Sequence, residues 1–126
     1  MKNIIGCSII LKDDFNNILI IKKEQKKNFG LWKCVGRLKK GRENNEKCIS
    51  NSVKEELNTL IFDLKEIKEF KINDTEDYIM IYEGKIKDYM NLGKKVMDMK
   101  WISKKEIENY EFLDGEKELL LEYFKK

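Results

Sequence analysis

Residues 30–59 read Gly-Leu-Trp-Lys-Cys-Val-Gly-Arg-Leu-Lys-Lys-Gly-Arg-Glu-Asn-Asn-Glu-Lys-Cys-Ile-Ser-Asn-Ser-Val-Lys-Glu-Glu-Leu-Asn-Thr. In the second half Ile49, Val53, Leu57 and Leu60 recur at helical spacing, which predicts a helix over 44–58 with that stripe turned to the core. Asn44 or Asn45 supplies its cap. At roughly 100° per residue, Glu56 falls about 20° from Ile49, inside the stripe, with Ser52 about 60° and Glu55 about 120° away. A carboxylate aimed at a core must be paired, protonated or bound to a metal. Glu55 and Glu56 are also adjacent, and their like charges call for a cation between them. Pairing of Glu56 with one of the 24 lysines is the plain alternative.

Outward from this helix the chain alternates between strand and turn signals. Residues 3–11 and 18–21 are β-branched runs separated by Lys12-Asp13-Asp14-Phe15-Asn16-Asn17, which predicts a hairpin. Phe29 to Trp32 reads as a short apolar strand, and Val35 to Arg42 as a Gly/Lys/Arg loop. Two strands are expected over 60–72 and 77–87, with Asn73-Asp74-Thr75-Glu76 as the turn. The second, apolar through Tyr78-Ile79-Met80-Ile81-Tyr82, is expected to be central. Met99 to Ile102 reads as a strand running into Ser103-Lys104-Lys105-Glu106, a capping box that opens a helix. A last amphipathic helix covers 115–125. This order predicts an α/β fold, a mixed sheet with helices on its faces.

Composition narrows the function classes. The 126 residues carry a net charge of +3, with 41% hydrophobic, 10% aromatic and no proline, which excludes disordered, collagen-like and Pro-rich chains. The length suits one domain over 1–126. No apolar run reaches the roughly 18–20 residues of a membrane span, and Met1 to Gly6 does not make a signal peptide; a soluble, cytoplasmic protein is expected. The lysine excess, with isoleucine and asparagine, is the bias of AT-rich coding, and the 23 acidic residues are interspersed with the basic ones. That pattern is a solvated surface rather than a nucleic-acid stripe. The absence of histidine removes His-activated nucleophiles and His-ligated zinc. Cys7, Cys34 and Cys48 lack a Cys-x-x-Cys pair and read as small core residues.

Residues 30–59 resemble the Nudix box and its approach strand, G-L-W-x-x-P-G-G-x5-E-x7-R-E-U-x-E-E-x-G-U with U apolar. Gly30, Leu31, Trp32, Gly36, Glu43, Val53, Glu55 and Glu56 fall in register without a gap. A register one residue shorter would make Gly36 the opening glycine but set Arg42 where the box has Glu. Trp101-Ile102-Ser103-Lys104-Lys105-Glu106-Ile107 is similar to the Trp-Val-Ser-x-x-Glu-Leu segment near the end of such domains. The resemblance implies a Nudix-type α/β/α sandwich over the whole chain. Departures are Val35 for proline, Arg37 for the box-opening glycine, Asn51-Ser52 for Arg-Glu, Asn58 for the late glycine and Thr59 for the closing apolar residue.

The resemblance also implies a site. Positions matching Ser52, Glu55 and Glu56 hold divalent cations in the family, and hard oxygen ligands suit Mg²⁺ or Mn²⁺. Ser52, Glu55 and Glu56 are therefore the candidate catalytic residues, with Glu55 and Glu56 as metal ligands. Ser52 brings no charge, and Asn51 removes the arginine that braces the glutamate matching Glu43. Asp98, before the late tryptophan, is the candidate additional ligand or else a surface residue. Arg37, Lys39 and Lys40 are candidate phosphate contacts or a solvated loop. The leading expectation is a Mg/Mn-dependent hydrolase of a nucleoside diphosphate linked to another group. The alternative is a catalytically impaired Nudix-fold domain that binds a nucleotide or a protein. A nucleic-acid-binding domain lacks its arginine cluster and stacking motif. The expected partner is a nucleotide-type small molecule, with no membrane and no nucleic acid; a homodimer is compatible with the sequence.

Overall fold

Strand β1 (Asn3–Leu11) is apolar on both faces, and it is buried on both. The computed structural model describes residues 3–23, 31–72, 74–86, 91–94, 96–113 and 115–125. Cys7, Ile9 and Leu11 turn to helix α1 (Asn45–Leu57), and Ile10 turns to the core of helix α2 (Glu116–Phe124). This alternation follows from the period of two along a strand. The fold is therefore a mixed α/β arrangement with helices on opposite sides.

Two sheets form the middle. One has the order β4-β1-β6-β5, built from β4 (Val35–Leu38), β5 (Ile61–Lys71) and β6 (Asp77–Ile86) around β1. It is mixed, with β1 parallel to β6 and the other pairs antiparallel. The other sheet, β3-β2-β7, is antiparallel and contains β2 (Ile18–Lys23), β3 (Trp32–Lys33) and β7 (Val96–Ile102). β6 is an interior strand, as its apolar run implies.

Several expectations need correcting. The runs at 3–11 and 18–21 do not pair as a hairpin; the only bridge between them among the described residues is Lys12–Ile18, beyond the end of the first run, and they enter different sheets while sharing a core. The Asp13 carboxylate still makes the turn, accepting the N–H groups of Phe15 at 2.9 Å and Asn17 at 2.8 Å. Val35–Leu38 is a strand rather than a loop, because it pairs with Gly6–Ile9 of β1. Gly36 has φ +149, and a Cβ there would lie 2.2 Å from the Cys7 carbonyl oxygen, so the close approach of β4 to β1 requires glycine. Phe29 and Gly30 of the expected strand lie outside the described residues.

Helix α1 starts where expected. Asn44 caps it, its side chain accepting the Lys47 N–H at 2.7 Å. The helix ends at Leu57, with Asn58 left-handed at φ 51, so Leu60 is off the helix and 72% exposed rather than on its core stripe. The Ser103 box closes through the Glu106 carboxylate, 3.0 Å from the Ser103 N–H, but opens a 3-10 turn over Lys104–Asn109 rather than an α-helix. No helix among the described residues is long and apolar enough to cross a membrane.

Candidate active site

Glu55 and Glu56 stand in the last turn of α1, tied to β4 through Arg37 and to the end of β2 through Lys23. Glu56 lies on the inner face with Ile49, Val53 and Leu57, and is only 4% exposed. Lys23 Nζ is 3.1 Å from its Oε1, while its Oε2 is buried with no hydrogen-bond partner among the described residues. Burial pushes the Glu56 carboxyl up, with Lys33 and Lys23 pulling the other way. Lys23 is therefore the lysine that the inward-facing glutamate requires. It continues the β2 face that carries Leu19 and Ile21 into the same core.

Glu43, Arg37 and Glu55 form a second group. The Arg37 guanidinium grips Glu43 with both terminal nitrogens, at 2.8 and 2.9 Å. It reaches Glu55 through Nε at 3.2 Å and Nη2 at 3.5 Å, and Nη1 also donates to the Leu38 carbonyl at 3.0 Å. Glu43 further accepts the Lys40 N–H and the Asn51 side-chain amide, both at 2.8 Å. Arg37 first, then Asn51 and the Lys40 N–H, hold the Glu43 carboxyl well below the usual range. The brace on Glu43 is thus present although position 51 is asparagine. The charge comes from position 37 and the amide at 51 adds a neutral bond.

The remaining candidates lie around these groups. Ser52 is fully buried, and its hydroxyl donates to the Cys48 carbonyl at 2.8 Å. Lys39 is half-buried and Lys40 exposed on the loop after β4. Asp98 is exposed on β7, paired in register with Lys22, and accepts the Met99 N–H at 2.8 Å. Among the described residues no three His, Cys, Asp or Glu side chains are arranged to hold one ion, so Asp98 is not gathered with Glu55 and Glu56. All three cysteines are free and buried. Cys7 Sγ lies 2.9 Å from Cys48 Sγ, and burial, then Cys48, pushes the Cys7 thiol up to about 12.

Two features carry no signal in the motif. Gly93 donates its N–H to the Glu56 carbonyl at 2.8 Å, and Asn91 donates to that of Leu57 at 2.9 Å, so residues 91–93 close the C-terminus of α1. Beside Arg37, a cavity of about 190 Å³ is lined by Ser8, Lys33, Cys34 and Glu116 among others. Ser8 Oγ is buried there beside Cys34, with no N or O hydrogen-bond partner among the described residues, and Glu116 accepts the Cys34 N–H at 2.8 Å.

No family model matches the chain, and no curated protein matches it in sequence. Solved structures do match. A Nudix hydrolase from Nitrosomonas europaea superposes with TM-score 0.78 at 16% identity, over 98% of this chain and 71% of that one. A MutT Nudix hydrolase from Burkholderia pseudomallei gives 0.76 at 15%, over 98% of both chains. The chain has the Nudix fold. A MutT protein from Methanosarcina mazei agrees, with TM-score 0.73 at 16% identity over 97% of this chain and 94% of that one. Within this fold Arg37 links Glu43, before the start of α1, to Glu55 in its last turn, while Glu56 pairs separately with Lys23.

The donor set can be tested for a divalent ion. Mg²⁺ is commonly held by one or two carboxylates, with substrate phosphates and waters completing the shell. Glu55, half exposed and held by Arg37, and Glu56, with one oxygen on Lys23 and the other buried without a hydrogen-bond partner among the described residues, supply two carboxylates of that kind. The residues therefore fit an ion held by two protein ligands.

Proposed function

We propose that this chain is a Nudix-type hydrolase acting on the pyrophosphate of a nucleoside diphosphate linked to another group. The observation that carries this reading is the Oε2 of Glu56, buried with no hydrogen-bond partner among the described residues. An ionised oxygen buried without a partner costs several kcal/mol or is neutralised, and a divalent ion shared with Glu55 would repay it. When bound, such an ion neutralises phosphate charge and lowers the pKa of an attacking water.

The chain's own residues have separable tasks. Glu55 and Glu56 are the ligands, and Lys39 and Lys40 are the candidate phosphate contacts, since their loop follows directly on β4. Arg37 has its donors committed to Glu43, Glu55 and Leu38. The cavity beside it, with Ser8, Lys33 and Glu116, offers polar groups to the organic half of a substrate.

One observation favours a second reading, a nucleotide-binding domain with impaired catalysis. Ser52 is buried and donates to its own helix, so it contributes neither charge nor a base. The experiment is a phosphate or AMP release assay over a panel of nucleoside diphosphate derivatives, with Mg²⁺ and Mn²⁺ at alkaline pH. Turnover lost in Glu56→Gln supports hydrolysis; no turnover of any member favours the binding domain.

A further inference from the structure

We propose that Arg37 is an internal cation that holds Glu55 in the metal-free protein and competes with a divalent ion for it. The inference rests on the reading of Glu55 and Glu56 as ligands, and it concerns a residue that the reading does not use.

Every N–H of the guanidinium has an acceptor. Nη1 donates to Glu43 and Leu38, Nη2 to Glu43 and Glu55, and Nε to Glu55. The two arms differ. On the Glu43 side the contacts are 2.8 and 2.9 Å, parallel and bidentate, with both side chains 12% exposed. Bidentate Arg–carboxylate pairs of that kind are the strong ones. On the Glu55 side they are 3.2 and 3.5 Å, and the Glu55 side chain is 51% exposed. The arm to Glu43 is the anchor and the arm to Glu55 is the one that can let go.

Charge balance gives this asymmetry a consequence. Arg37 faces Glu43 and Glu55, Lys23 pairs with Glu56 with the charge of Lys33 also acting on it, and the neighbour of Glu43 at position 51 is a neutral amide. A divalent ion that takes Glu55 competes with the Nε and Nη2 contacts for its two oxygens. It then lies within a few ångströms of a guanidinium still fixed to Glu43, and like charges at that range repel even in a partly solvated site. Arg37 thus positions Glu55 while lowering its affinity for an ion. Position 51 would offer a brace for Glu43 without this cost, because its side chain reaches Glu43 Oε2 from the helix rather than across Glu55.

The test is Mn²⁺ binding to the full chain at low ionic strength, read as free Mn²⁺ by electron paramagnetic resonance. Arg37→Met removes the competing charge and should bind Mn²⁺ about tenfold more tightly or better. Glu43→Gln removes the anchor, leaves the guanidinium to Glu55 alone, and should bind Mn²⁺ several-fold more weakly. A purely structural role would weaken binding in both variants, so the opposite signs carry the inference. If Arg37→Met does not fold, the Glu43→Gln result decides: unchanged or tighter binding overturns the proposal. Glu56→Gln separates the two levels of the argument. If it leaves Mn²⁺ binding intact, the ligand reading fails and this inference with it. If it abolishes binding while Arg37→Met binds no tighter than wild type, the inference about Arg37 alone is wrong.

Discussion

Lys23 Nζ lies 3.1 Å from Glu56 Oε1, joining the end of β2 to the last turn of α1 across the core side of the candidate site. Removing one partner of a buried ion pair is strongly destabilising, because a charge is left uncompensated. Lys23 is 22% exposed, so the full penalty does not apply. Lys23→Met should lower metal-free stability by about 2 kcal/mol. A divalent ion on Glu56 would replace the lost ammonium, so Mn²⁺ should raise the melting temperature of Lys23→Met more than that of wild type. Melting curves with and without Mn²⁺ check this, and an equal rise in both proteins would count against an ion at Glu56.

The legible parts of this fold are those with one-sided patterning. Helix α1 shows its cap and stripe, and the stripe alone marks Glu56 as inward-facing. Lys23 can be found the same way, since Leu19, Ile21 and Lys23 share one strand face. β1 and β2 are apolar on both faces, and such runs carry no register information, so their departure into separate sheets is not readable. β4 is a Val-Gly-Arg-Leu segment that becomes a strand only through tertiary pairing with β1. The grip of Arg37 on Glu43 depends on that pairing, which is why a missing arginine at position 51 looks in sequence like a missing brace.

The Glu43 carboxyl is depressed in the folded protein, chiefly by Arg37. Its contribution to stability is therefore present above the unfolded value of about 4.3 and fades as the pH falls through the lower folded value. Glu43→Gln should melt below wild type at pH 7, and the gap should narrow progressively below about pH 4. Thermal melts from pH 2.5 to 7.5 test the sign. A gap that persists unchanged at the acid end would point to packing rather than charge.

Gly93 packs directly on the backbone of α1. A Cβ there would lie 2.2 Å from the Glu55 carbonyl oxygen and 3.2 Å from Glu56 Cα. The loop must retreat from α1 and give up its cap on Glu56. Gly93→Ala should cost about 1–3 kcal/mol, in the range of overpacked cores, and should weaken Mn²⁺ binding. Gly41, at φ +56 with open space around it, is the comparison. Gly41→Asn should be close to neutral, because asparagine tolerates that conformation.

Ser52 offers the most direct test of whether the site lacks only a ligand. It is fully buried one turn before Glu56, and its hydroxyl is spent on the Cys48 carbonyl. Ser52→Glu would set a third carboxylate on the same patch, three residues from Glu55 and four from Glu56. Without metal, that charge enters a buried stripe already holding an under-compensated glutamate, so the metal-free melting temperature should fall. With saturating Mg²⁺ or Mn²⁺ the added charge strengthens ion binding, and the loss should be largely recovered. General-base and metal contributions are each typically ~10²–10⁴-fold, so a gain of about tenfold or more in kcat/KM is expected on any substrate that the wild type turns over. Asn51→Arg added to it should contribute little, because Arg37 already grips Glu43 on both oxygens. If the melting temperature falls equally with and without metal, position 52 does not reach the ion, and the binding-domain reading gains accordingly.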